Sequence, residues 1–222
     1  MYILSPSLLS ADFTDMGRQI RILEENGAEY LHIDVMDGIF VPNISIGVPV
    51  VKSIRKFTEL VLDVHLMITQ PQRYIEAFAA AGADIINIHY EACDEIDSTL
   101  EKIKTLGKKN ALTIKPKTNW KDIIPYLNKV DMVLVMSVEP GFGGQSFIEE
   151  TLENVRGLYS YKKENGLNYD IEIDGGINAE NLKKPLEAGA NVIVAGSAIL
   201  GKRDIGQQVR YFKSVMEEYD KK

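Results

Sequence analysis

Positive charge is in short supply in this 222-residue chain: 25 Lys and Arg stand against 32 Asp and Glu, a formal charge of −7. Phosphate backbones and anionic membranes recruit basic patches, so the acidic balance argues against a nucleic-acid or membrane partner. An anionic ligand would have to be held by local donors and not by the overall field. Cysteine is nearly absent, and Cys93 alone excludes a disulfide framework and fits a reducing compartment. No apolar run approaches the roughly 18 residues of a membrane span. The opening residues, MYILSPSLLSADF, have neither the basic segment nor the cleavage site of a secretory leader. A soluble, cytoplasmic protein is expected. No Gly-, Ser- or Pro-rich linker divides the chain, and 45% hydrophobic with 26% charged residues supplies an ordinary globular core.

What is present alternates. Short β-rich apolar runs recur at 3–9, 30–36, 60–68, 84–90, 110–115, 131–138, 169–174 and 191–196. Each is followed by a longer stretch of helical character, as in DMGRQIRILEEN or EIDSTLEKIKTLG, where apolar residues fall at i, i+3, i+4 and i+7. Gly27, Gly82, Gly107, Gly166 and Gly189 mark helix ends ahead of the next strand. Continuous apolar strands require cover on both faces, which makes this an α/β protein. A closed barrel and an open doubly wound sheet compete. Polar residues collect at the C-terminal ends of many strands, at Ser7, His32, Asp34, His65, Glu91, Asp174, Gly196 and Ser197. An open sheet would gather them at one switch point, whereas a barrel spreads them round its rim. The expected fold is therefore α/β, a single (β/α)8 TIM barrel domain over residues 1–222, with about 28 residues per unit.

The second, third and seventh runs carry the chemistry. With a strand period of two, His32, Asp34 and Met36 share a face, as do His65 and Met67. Asp174 closes EID at the rim, ahead of Gly175 and Gly176. If those faces point inward, two imidazoles and two carboxylates converge near the axis, a set that suits a divalent transition metal. Taken singly, each residue has a plainer reading, as a satisfied core histidine or a helix-capping aspartate.

The runs SPSLLSADF, HIDVMDGIFVPN, DVHLMI, MSVEPGFGGQSF, IDGGIN and VAGSAIL, in this order and over essentially the whole chain, resemble the ribulose-phosphate 3-epimerase family. The resemblance implies a (β/α)8 barrel that interconverts D-ribulose 5-phosphate and D-xylulose 5-phosphate in the pentose phosphate pathway, with a bound divalent metal. It implies His32, Asp34, His65 and Asp174 as metal ligands, Asp34 and Asp174 also as the acid/base pair, and Ser7 as a substrate contact. Inversion at C3 calls for two groups flanking the carbon, since a single fixed base returns the proton to the face it came from. A Lewis-acidic ion on the adjacent oxygens stabilises the enediolate that neither carboxylate, with a pKa near 4, could reach unaided. Zn²⁺ is the expected ion, with Fe²⁺, Mn²⁺ and Co²⁺ compatible with the same donors. A homo-oligomer, from dimer to hexamer, is implied by the family.

Three glycine-containing loops follow the sixth, seventh and eighth runs: Gly141-Phe142-Gly143-Gly144, Gly175-Gly176 and Gly196-Ser197. Glycine lets backbone N–H groups approach a phosphate, and a helix N-terminus adds favourable dipole charge. This is the barrel position for binding the phosphate of a phosphorylated ketose. Met36, Met67 and Met136 are either core filling or an apolar wall round the enediolate. His89 reads as a core or supporting residue and not as a ligand. Lys115 and Lys117 depart from the family's pattern after the fifth run and read as solvated loop residues. The loop 41–51 is expected to cover the mouth. Two other readings stay open: the same chemistry on D-allulose 6-phosphate, and a metal-free phosphate-binding barrel lyase.

Overall fold

Strand alternation decides the architecture. In the computed structural model, which describes residues 2–220, eight parallel strands form one sheet: β1 (Ile3–Pro6), β2 (Tyr30–Met36), β3 (Val61–Met67), β4 (Ile85–His89), β5 (Lys109–Ile114), β6 (Met132–Met136), β7 (Asp170–Asp174) and β8 (Val192–Ala195). Neighbours run in the order β1-β8-β7-β6-β5-β4-β3-β2, and a parallel bridge between Ser7 and His32 joins the two ends. The expected α/β barrel is the observed fold.

One set of alternate residues, including Leu31, Ile33, Val64, Leu66, Ile86, Val133, Ile171 and Ile193, is buried in the main core shared with the helices. The other set points to the axis. Tyr30, Ile85, Ala111, Met132 and Val192 form a separate apolar cluster near the strand N-termini. Two residues further along, most of the inward faces turn polar: His32, Asp63, Asn87, Thr113 and Glu172 are all fully buried, while Leu134 and Val194 stay apolar. Register then aligns the rim, with Asp34 beside His65, Met36 beside Met67 and Met136 beside Asp174.

Seven α-helices follow: α1 (Met16–Glu25), α2 (Val48–Arg55), α3 (Ile75–Ala81), α4 (Ile96–Thr105), α5 (Leu152–Glu164), α6 (Lys183–Ala188) and α7 (Ile205–Asp220). All five glycines read as helix ends have positive φ. The helical pattern fails once, after β5. There residues Trp120–Tyr126 form a 3-10 segment, capped by Asn119, whose side chain accepts from the Lys121 amide. Pro125 lies inside it, and its missing N–H and ring forbid a regular α-helix. Two boundaries also shift. The first run ends as a strand at Pro6, and α2 takes over residues 48–51 of the loop expected at 41–51.

The 3-10 segment is locked to α5 by Trp120, whose ring packs against Tyr161 at 5.7 Å between centroids. A Cβ on Gly157 would stand 2.1 Å from Trp120 Nε1. Gly157→Ala gains about 1 kcal/mol of helix propensity, but overpacking the indole costs about 1–3 kcal/mol. Denaturant unfolding of this variant should show a net loss of stability.

Candidate active site at the strand C-termini

Period-two projection from β2, β3 and β7 brings His32, Asp34, His65 and Asp174 together, with one ligand atom from each lying within 4.8 Å of the others. His32 Nε2 is 3.1 Å from His65 Nδ1, 3.4 Å from Asp34 Oδ1 and 3.8 Å from Asp174 Oδ2. His65 Nδ1 is 3.2 Å from Asp34 Oδ1. Both histidines are fully buried, while the Asp174 side chain keeps 16% exposure on the cleft side. Ser7 donates its hydroxyl to Asp34 Oδ2 at 2.6 Å.

The far side of each imidazole is also held. His32 Nδ1 lies 2.7 Å from Asp63 Oδ2 and 3.5 Å from Glu172 Oε1. His65 Nε2 meets His89 Nε2 at 2.9 Å, and His89 Nδ1 lies 3.2 Å from Glu91 Oε2. Asp63 and Glu172 were not singled out in the sequence. The signal was available, because each stands two residues before a rim residue on the same inward face. His89 lies outside the four-residue cluster, against His65.

Burial and mutual charge set the ionisation of this column in the metal-free chain. Burial alone would raise the pKa of Asp34, but the charges and hydrogen bonds of His32 and His65 outweigh it and hold it well below the carboxylate range. Asp174 goes the other way: burial raises it to about 6, with Asp34 adding to the shift against the opposing pull of His32. Burial opposes a charge on His32, yet Asp34 and Asp63 raise its pKa well above the usual value. Glu172 is pushed far up by burial and by Asp63, so it is held neutral. Burial lowers His89 to about 4. Glu91 is raised by burial but brought down to about 2 by hydrogen bonds from His89, Thr118 and the Lys115 amide.

No lysine or arginine is buried among the described residues. In the metal-free chain the only positive charge between Asp34 and Asp63 is the His32 proton. Two imidazole nitrogens and two carboxylate oxygens converging in that setting are a donor set that fits a divalent transition ion.

Above the cluster opens a cleft. Its walls bring together Ser7, Asp34 and Asp174 with Met36, Met67 and Met136, and with Gly141, Phe142, Gly143, Gly144, Gly175, Gly176, Gly196 and Ser197. His32 and His65 lie beneath its floor and do not line it. The three methionines are thus both buried and cleft-facing. No regular helix begins at Gly175 or Gly196. Bends and turns follow both strands, and α6 and α7 start only at Lys183 and Ile205. An anion there would meet turn amides without the expected helix dipole. Sequence reasoning missed Ser10 and Gln145. Both line the cleft, and Gln145 shapes the glycine loop by donating to the Glu139 and Phe142 carbonyls. Asn43 donates to the Gly141 carbonyl at 2.8 Å, tying the β2 loop to the β6 loop. Lys115 does not line the cleft, and its ammonium sits 3.9 Å over the Phe40 ring.

A barrel of parallel strands with a buried His/Asp cluster under a cleft at its C-terminal rim has the layout of a barrel enzyme. Comparison with known proteins narrows the class. The model of the ribulose-phosphate 3-epimerase family matches residues 3–200. A ribulose-phosphate 3-epimerase of Synechocystis is 50% identical over 200 residues, covering 89% of this chain and 86% of that protein. Its namesake in Bacillus subtilis is 47% identical over 205 residues, covering 92% and 94%. Among solved structures, KGPDC from Streptococcus mutans matches with a TM-score of 0.75 at 13% identity over 99% of both chains, a likeness of fold alone. The chain belongs to the ribulose-phosphate 3-epimerase family and is an isomerase.

Close loop packing under the cleft depends on Gly176, with φ +67°, where a Cβ would lie 2.5 Å from the Phe147 nitrogen and 2.9 Å from the Gln145 carbonyl oxygen. At Gly144, with φ +73°, nothing lies within 4 Å. Gly144→Ala should cost about 1–2 kcal/mol for the backbone conformation alone, and Gly176→Ala clearly more. Equal losses in thermal unfolding would contradict this packing.

Proposed function

We propose that this isomerase interconverts D-ribulose 5-phosphate and D-xylulose 5-phosphate by proton transfer between Asp34 and Asp174. The observation that carries the reading is the pair itself: two carboxylates from strands on different sides of the ring, at one cation-fitting cluster, at the floor of a cleft with glycine-lined walls. The names of the curated relatives supply the substrate class.

The proton at C3 of a 2-ketose is acidic only if the neighbouring carbonyl is polarised. A divalent ion held by His32, Asp34, His65 and Asp174, Zn²⁺ by preference, supplies that polarisation when bound. The chain's own residues do the rest. Asp34, oriented by the Ser7 hydroxyl, takes the proton in the ribulose-to-xylulose direction, and Asp174 returns one to the opposite face. Each turnover exchanges their protonation states, and the reverse reaction restores them. Met36, Met67 and Met136 give the planar enediolate an apolar wall that offers no stray proton. The backbone amides of the Gly141–Gly144, Gly175–Gly176 and Gly196–Ser197 loops hold the phosphate. That neutral arrangement suits a chain that is acidic overall.

Asp34→Asn and Asp174→Asn should each lower kcat by about 10²–10⁴-fold. In deuterated solvent each should also lose C3 exchange from one of the two epimers. Normal turnover in either variant would contradict the two-carboxylate scheme. Ser197→Asp places a negative charge against the phosphate and should raise KM roughly 10- to 1,000-fold, with kcat changed far less. An unchanged KM would put the phosphate elsewhere.

A further inference from the structure

The two histidines of the cluster are backed differently. His32 has a carboxylate directly behind it, Asp63 Oδ2 at 2.7 Å from Nδ1. Behind His65 lies a third imidazole: its Nε2 is 2.9 Å from Nε2 of His89, with the rings stacked at 25°. Two ring nitrogens at that distance share one proton. Both rings are fully buried, so the direction of that hydrogen bond is set by the carboxylates at the two ends of the pair: Asp34 Oδ1, 3.2 Å from His65 Nδ1, which a bound cation would engage, and the neighbour beyond His89. That neighbour is Glu91, whose Oε2 faces His89 Nδ1 while its Oε1 accepts from the Lys115 amide at 2.8 Å and from the Thr118 hydroxyl at 2.5 Å.

A carboxylate acceptor draws a proton onto His89 Nδ1. With a cation engaging Asp34, His89 Nε2 is then bare and accepts from His65 Nε2–H, which leaves the His65 Nδ1 lone pair for that cation. The reverse arrangement would put the proton on His65 Nδ1 and close that nitrogen to any cation. We propose that Glu91 is a positioning residue which, acting through His89, fixes His65 in the Nε2–H form and aims its Nδ1 lone pair at the cation shared with His32, Asp34 and Asp174. This rests on the metal-binding reading above and deepens it: each ligand histidine is oriented by a carboxylate, one directly and one through an intervening ring.

The substitution Glu91→Gln tests the idea because the Lys115 amide can only donate. It captures the glutamine carbonyl and turns the NH₂ group toward His89 Nδ1, which must then accept. Neither charge removal alone nor a packing defect predicts that reversal. With three histidines in the whole chain, long-range ¹H–¹⁵N spectra resolve every imidazole. His89 should carry its proton on Nδ1 in the Zn²⁺-loaded wild type, where the cation takes Asp34 out of the competition, and on Nε2 in metal-free E91Q. Co²⁺ affinity, read from the visible absorption of the bound ion, should fall about 10- to 100-fold in E91Q. Thr118→Val, which removes only one contact to Oε1, should stay close to wild type. An Nδ1–H form of His89 in E91Q with unchanged Co²⁺ affinity would overturn the role of Glu91 alone. Failure of the wild type to bind Co²⁺ would overturn the metal reading beneath it. Should E91Q fail to fold, the Zn²⁺-loaded wild type still decides, because an Nε2–H form of His89 there contradicts the proposal.

Discussion

Buried carboxylates with no buried lysine or arginine to answer them are the constraint from which the rest of this barrel follows. Asp34, Asp63, Glu172 and Asp174 all project inward, and the first three are nearly or fully inaccessible. An isolated carboxylate in such surroundings costs several kcal/mol. The chain meets the cost locally: Glu172 is held neutral, Asp63 sits against His32, and Ser7 donates to Asp34. What remains is an excess of acceptors at the rim, between Asp34 and Asp174, at the place where a divalent cation would be balanced. The same excess leaves two carboxylates facing the cleft.

The strand period made much of this readable in advance. Once the second, third and seventh runs are taken as strands facing inward, His32, Asp34 and His65 fall on the axis, with Asp174 at the rim. Asp63 and Glu172 obey the same rule and were equally legible. They escaped notice because they lie below the rim, where chemistry was not expected. Pro125 carried the warning that the fifth connection could not be a regular helix. The links between loops were not legible. Asn43 and Gly141 are 98 residues apart in sequence, and only the closed ring makes them neighbours. Lys115 looked like a solvated loop residue, because nothing local reveals that the Phe40 ring will lie beneath it. The helix dipole expected at the glycine loops is missing because turns intervene between those strands and their helices.

Floor and walls therefore divide the work. The floor is charged, buried and rigidly oriented through imidazole and carboxylate pairs. The walls are neutral, built from glycine loops and methionine side chains, and pinned by Gln145 and Asn43. A chain of net charge −7 could hold an anionic sugar phosphate in this way, with amide donors at one end and a cation at the other. The family relationship supports a phosphorylated sugar as substrate, and the side chains of three strands supply a cluster that fits a cation.

The central claim is that the His32/Asp34/His65/Asp174 cluster works as a cation-dependent epimerisation centre. It is tested most directly by kcat/KM for D-ribulose 5-phosphate and D-allulose 6-phosphate before chelation, after it, and after return of Zn²⁺, Mn²⁺, Fe²⁺ or Co²⁺. The account predicts preference for the pentose phosphate, loss of activity on chelation and its recovery with at least one of these ions. Full activity in rigorously metal-free protein would contradict it.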